Sequence, residues 1–333
     1  MRSLFKFQPS HRPPPEPRKG KLPVFTAGQQ LRLFSAGILP TLIPIWATQH
    51  FLGYVWPLWA KAVWFGLVSQ SINDYYADFL NEMGYKWGYL DGDKPRDKIP
   101  DEYVDTIFVL GLVTPFVRLG LVAWITYRPD HSLSLSISDL PLFYLKLFLV
   151  SLFLDLFFYS YHRAFHEVDF LWKYHKTHHL TKHPSPLLAS LSDVEQDFIE
   201  ALVCPYLGLL IAHMILPMTF EEGAMILSFI SVAEIMGHTG IRAYIEAGNT
   251  ALLLRPFGLE LTVEDHDIHH REGWKKSNNY GKQSRFWDFV FGTMGTRIEC
   301  KPEMIDWKLS IFDDVPPEPI QEARSVEQEK KKL

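Results

Sequence analysis

The chain has 333 residues, 33 Lys plus Arg against 38 Asp plus Glu for a formal net charge of -5, and 47% hydrophobic residues. The acidic balance and the scattered basic residues exclude a nucleic-acid recognition pattern. Cys204 and Cys300 are the two cysteines, too few for a disulfide framework or a Cys-rich metal site.

In chain order, the stretch 1–30 is a Pro-rich, basic arm (PSHRPPPEPRKGKLP) without the short charged tip and apolar core of a cleaved signal peptide. It is expected to be a disordered cytosolic arm. Apolar stretches follow at 33–46, 54–68, 104–127, 140–161, 198–217 and 224–237. Several approach the length of roughly 20 residues that crosses a bilayer. Aromatic residues make 14% of the chain. Many gather at the ends of the apolar stretches, as suits a membrane interface. The fold class expected is all-α: a multi-span helical bundle with four spans plus a hairpin, or six spans, under a cytosolic histidine-rich helical cap. Four regions follow: the arm at 1–30, N-terminal membrane helices and loops at 31–139, a histidine-rich domain at 140–300, and a charged tail at 301–333. Lys and Arg are abundant at 12–32, 86–98, 163–182 and after 255, and absent at 51–54 and 216–223. The positive-inside rule therefore puts every histidine-rich segment and both termini in the cytosol. Two crossings, a cytosolic loop at 73–101, two more crossings and the hairpin at 198–237 satisfy that rule. The final KKKL places Lys330 and Lys331 as in a dilysine retrieval signal of endoplasmic-reticulum membrane proteins.

Histidines concentrate in three clusters. His162 and His166 stand at i, i+4, so on a helix their rings leave one face. Asp155 and Tyr159 precede them at similar spacing, and an ionisable group inside a membrane helix marks a site. Asp155 is placed to fix a ligand histidine's tautomer from behind, with Tyr159 and Asp265 as further supporting residues. His175, His178 and His179 form an HxxHH, repeated by His266, His269 and His270. Eight imidazoles are too many for one tetrahedral zinc and suit two metals. Imidazole alone leaves iron, zinc, copper and nickel open. The setting favours two irons, because attack on buried C–H bonds beside an apolar bundle requires O2 chemistry that redox-inert zinc does not perform.

With LDLFFYSYHRAFH, LWKYHKTHH, DHDIHHREG and the following NNYGKQSRFWDFVFGT, residues 140–296 resemble the fatty acid hydroxylase and sterol desaturase superfamily of membrane di-iron oxygenases. The resemblance implies that the eight boxed histidines bind two irons, with zinc as a possible substitute in purified protein, and that His238 in MGHTG is a ninth ligand. Relatives carry a carboxylate after the second box where this chain reads ASLSDVEQD, so Asp193 is the nearest counterpart and His183 a competitor. The activity implied is hydroxylation or stepwise oxidation of a sterol, sphingoid base, fatty acyl chain or terpenoid with O2. Electrons are expected from a cytochrome-b5-like donor and an NAD(P)H-dependent reductase, since no dinucleotide-binding loop or HPGG signature is present. Desaturation at the same metal site, a catalytically silent metal-binding protein and a membrane zinc hydrolase are the competing readings. His11, His50, His131 and His213 lack partners at ligand spacing, and Trp172, Trp274 and Trp287 read as packing or interface aromatics.

Overall fold

The computed structural model describes residues 19–315 apart from 93, 130–132, 134 and 276. The Pro-rich start, His11, His131 and the KKKL end lie outside the described residues. The elements are β1 (Leu22–Phe25), α1 (Ala27–Ile38), α2 (Ile43–Leu52), α3 (Leu58–Trp87), α4 (Asp101–Thr126), α5 (Leu140–Glu167), α6 (Val194–Asp197), α7 (Cys204–Ile215), α8 (Phe220–Gly237), β2 (Tyr244–Ile245), α9 (Ala251–Leu254), α10 (Val263–Arg271), α11 (Phe286–Phe291) and β3 (Ile305–Ser310).

Among the described residues, four stretches are long and apolar enough to cross a membrane: Ala27–Leu52, Asp101–Thr126, Ile137–Glu167 and Val194–Ile215. The protein is a membrane helical bundle. In the first stretch, α1 and α2 are joined by a 3-10 turn over Leu39–Leu42, where Pro40 and Pro44 lack the N–H that would continue the ladder. In the last, a π-helical segment, Phe198–Val203, links α6 to α7.

Two expectations about the bundle change. The segment expected to cross at 54–68 and then form a loop is instead α3, a continuous helix of 30 residues. At a rise of about 1.5 Å per residue, α3 is roughly 45 Å long. Buried Ile72, Tyr76 and Leu80 recur every fourth residue, so the helix keeps one face on the core well past the apolar run. The hairpin is also asymmetric. Its first arm is a candidate span, whereas α8 is an inner helix packed against α3, α4 and α5. Its start carries Glu221 and Glu222, which accept from Lys61 Nζ at 2.5 Å and Lys146 Nζ at 2.7 Å. Thr219 closes a capping box with Glu222, and carboxylates at this end suit the helix dipole.

Helix α5, which carries the first histidine box, lies against α7 at Gly208. A Cβ there would sit 2.6 Å from the Leu154 backbone nitrogen, so the close approach requires glycine.

A small parallel sheet of order β2-β1-β3 adds to the helical class. Val24 of the central strand pairs with Tyr244 and Ser310. The ordered fold therefore starts before residue 30 and extends past 301, at odds with the arm and tail boundaries. These strands come from segments far apart in the chain, a pairing that local periodicity cannot reveal.

Candidate metal centre

His162 and His166 occupy the last turns of α5, which is capped by Val168. The chain then makes 3-10 turns at Trp172–Tyr174 and His178–Leu180, so the second box lies on tight turns and not on an α-helix. The third box lies on α10, where Thr262 N donates to Asp265 Oδ2 at 2.8 Å in the first turn. His238 is the C-terminal capping residue of α8.

These elements bring nine buried histidines into two groups. His162, His166, His175, His179 and His269 form one, and His178, His238, His266 and His270 form the other. Within each group the candidate ligand atoms lie within 4.8 Å of one another. Adjacent histidines serve different groups because their rings diverge: His178 and His179 stand at 88°, His269 and His270 at 82°. In each HxxHH the i, i+4 pair joins one group and the residue between joins the other.

The outer ring nitrogen is tethered on seven of the nine rings, while His179 Nδ1 has no hydrogen-bond partner. Nδ1 of His162, His166 and His269 donates to the carbonyls of Tyr280, Trp274 and Asn278, each at 2.8 Å. Nδ1 of His178 donates to Leu191 O at 2.9 Å, of His238 to Glu234 O at 2.9 Å, and of His270 to Thr181 O at 3.2 Å. His175 Nδ1 meets the Gln196 side-chain oxygen at 2.9 Å. A carbonyl accepts only from N–H, so each of these neutral rings presents a bare Nε2 lone pair inward.

Those inward nitrogens lack partners suited to them. Nε2 of His162, His166 and His175 has no hydrogen-bond partner. His178 and His238 point bare Nε2 atoms at each other across 3.5 Å, and His179 and His269 approach to 3.1 Å. Protonation does not rescue the contacts, since burial first and neighbouring imidazoles second hold His175, His179, His266, His269 and His270 well below the usual range. Burial and then His178 push His238 down to about 3. Converging, dehydrated, neutral nitrogen lone pairs fit a cation in each group, so the clusters suggest a metal-binding site.

The supporting residues differ from expectation. Asp155 touches no imidazole; it accepts from Lys282 N at 2.6 Å, Gln283 N at 2.8 Å and Ser284 Oγ at 2.6 Å. A carboxylate has lone pairs for all three donors, so it pins the 280s loop whose Tyr280 carbonyl holds His162. Tyr159 shares a hydrogen bond with Thr293 Oγ1 at 3.0 Å and accepts from Arg163. Asp265 is consumed by its helix cap and by Arg297. Asp193 belongs to neither histidine group; it accepts from Thr177 Oγ1 at 2.7 Å, and α6 begins just after it. His183 is also outside both groups, with Nδ1 against Asp91 and its backbone N–H donating to Asp97. Among the other histidines, His50 stacks on Trp46, and His213 Nδ1 accepts from Met218 N.

Sequence reasoning missed a buried polar network. Gln196 donates from Nε2 to Glu200 at 3.0 Å, and Lys282 lies between Glu200 and Glu234. Burial opposes the Lys282 charge, but the two carboxylates outweigh it and raise its pKa. Gln196, Glu200 and Glu234 stand apart from the boxes and carry no local signal. The NNYGKQS segment contributes to the family resemblance, but its role in presenting backbone carbonyls follows only from the fold. Beside this network a cavity of about 180 Å³ opens between α3, α4 and α8, lined by Asn73, Arg118, Asp197, Glu234 and apolar residues such as Phe108 and Leu112.

The family model described as Fatty acid hydroxylase matches residues 147–293. A curated protein of Lecanicillium sp, Fatty acid hydroxylase vlmA, is 38% identical over 231 residues, covering 67% of this chain and 62% of that protein. No solved structure gives a significant match. The boxes fall inside the matched region, so residues 147–293 form a domain of the fatty acid hydroxylase family.

Proposed function

We propose that the chain is a membrane-bound di-iron oxygenase that uses O2 and electrons to hydroxylate, or stepwise oxidise, a C–H bond of a lipid in lipid biosynthesis. The observation that carries this reading is the pair of histidine groups, five and four, in which seven tethered Nδ1 atoms turn bare Nε2 atoms inward. Nine imidazoles with no thiolate in either group suit two redox-active first-row ions. When bound, the ions would supply the redox chemistry that inserts one oxygen atom of O2 into the bond and reduces the other to water with two electrons and two protons. The protein's own residues keep the rings neutral, orient seven of the nine, exclude water by burial, and leave the cavity beside Glu234 and Asp197 to position the lipid.

The ligands in this reading are His162, His166, His175, His179 and His269 for one ion and His178, His238, His266 and His270 for the other. Residues 140–300 form the catalytic domain. A cytochrome-b5-like donor and an NAD(P)H-dependent reductase supply electrons at the cytosolic face of the endoplasmic reticulum. Iron and zinc content with Mössbauer spectra of the purified chain, joined to untargeted lipidomics of cells with and without the gene, test the proposal. A product heavier by one oxygen supports it. A loss of two hydrogens assigns a desaturase, and zinc alone in protein prepared anaerobically with iron supplied overturns the oxygenase.

A further inference from the structure

Two tryptophans flank the histidine boxes, in LWKYH and REGWKK, and the fold stacks them in a line toward one histidine group. Trp172 is 9% exposed, and its ring centroid lies 5.2 Å from His166 and 5.7 Å from His179. Trp274 packs on Trp172 at 5.1 Å and is 42% exposed. A second connection runs beside the rings, because His166 Nδ1 donates to the Trp274 carbonyl at 2.8 Å. Electron tunnelling decays steeply with distance and is carried better by packed rings and hydrogen bonds than by gaps. Resting on the oxygenase reading, we propose that Trp274 and Trp172 are the port through which a one-electron carrier protein with an acidic face reduces the five-histidine group.

The surroundings of Trp274 choose the partner. Lys182 Nζ lies 5.3 Å from its ring centroid and donates to Gly273 O at 2.8 Å. Lys275 bridges to Asp169 at 2.6 Å, joining the two tryptophan-bearing loops. Lys173, inside the Trp172–Tyr174 turn, and Lys176, two residues past it, are exposed. An exposed aromatic residue with Lys182 against its ring and Lys275 next to it in sequence suits a small, salt-sensitive redox encounter with a carboxylate-rich partner.

Another aromatic approach, besides the inner contacts of Phe158, Tyr161 and Phe165, fits a different surface. It runs from Tyr280 through Tyr159 to Phe291, where Phe289, Val290 and Phe291 are all exposed and apolar, a face for lipid and not for an acidic protein. Among the described residues, the rings of His178, His238, His266 and His270 contact only other histidines, so no aromatic path reaches that group except through the first. In the transfer the carrier loses one electron and the metal centre gains it; no bond breaks, and the indoles act only as the tunnelling medium.

The test uses the iron-loaded full chain in detergent and the reduced soluble domain of a cytochrome b5, followed by stopped-flow haem oxidation. Trp274→Leu removes an exposed ring and keeps the backbone carbonyl. It is expected to slow haem oxidation at saturating cytochrome while leaving iron content and reduction by dithionite unchanged. On metal-free protein, Trp274→Leu should weaken cytochrome binding about tenfold. Lys182→Ala should weaken it several-fold, with a shallower salt dependence. Trp172→Phe, which preserves packing, should slow transfer without changing that affinity. Wild-type haem oxidation rates in Trp274→Leu, with normal iron content, overturn the port and leave the oxygenase reading standing. Iron-loaded wild-type protein that neither dithionite nor the cytochrome reduces overturns both.

Discussion

The five-histidine and four-histidine groups draw on the same boxes yet open toward different parts of the molecule. The first is held from behind by carbonyls of the 274–280 loop and by Gln196, and it faces the tryptophans and the polar surface. The second is held by carbonyls of Leu191, Thr181 and Glu234, and the Glu234 side chain lines the cavity. If each group held an ion, four nitrogens would leave it more open positions than five, and the four-histidine group is the one beside the cavity. The difference teaches that interleaved boxes need not make equivalent sites. In the proposed reading, one side would take up electrons and the other would meet the substrate.

The sharpest way to break the comparison is to remove one ligand from each side. His269→Ala and His266→Ala are each expected to abolish product and to lower bound iron by about half, read by elemental analysis. Equal loss of both ions from either variant would mean that the groups act as one site. Acid should act on both sides together. The folded-state pKa values of the histidines outside the membrane helices are depressed by burial, so the unfolded chain takes up protons first as pH falls. Stability and metal retention are therefore full above about 6.5, the unfolded value, and fall progressively below it. Thermal melts and iron content across pH 5 to 8 read this directly, and a flat profile would refute it.

Smaller changes separate the groups by their supports. Asp155→Ala removes the acceptor of three buried hydrogen bonds and leaves the Lys282 and Gln283 amides unpaired, costing about 3 kcal/mol of stability by thermal melt. Iron should be lost first from the five-histidine group, where Tyr280 holds His162. Gln196→Ala strips the partner from His175 and unmakes the bond to Glu200, so it should weaken metal binding on that side by about tenfold or more and cost about 1 kcal/mol in the melt. The smallest effect is expected for Asp193→Asn, which keeps an acceptor for Thr177. Iron content should match the wild type, and stability should move by about 0.5 kcal/mol at most. Substantial iron loss in that variant would restore Asp193 as a ligand.

Much of this molecule is legible without its fold. Apolar runs predict a membrane bundle because a bilayer demands long apolar helices, and the i, i+4 spacing of His162 and His166 places both rings on one face for purely local reasons. The extent of α3 is less legible, because its second half is polar on one side and only tertiary burial of Ile72, Tyr76 and Leu80 continues the helix. Asp155 stands out as a costly residue in an apolar helix, but its partners are loop donors and not an imidazole, and that loop lies well over a hundred residues away.

The sequence by itself determined the class of molecule, the set of imidazoles and the general region they occupy, because membrane burial and ligand chemistry act on residue type and near-neighbour spacing. The tertiary structure alone decided how the rings divide, five against four, which carbonyls fix their tautomers, that Asp193 stands aside while Gln196 takes the support position, and that two ordinary-looking tryptophans line up on one group. Each of those depends on the meeting of segments distant in the chain, and no local periodicity encodes which atoms will meet.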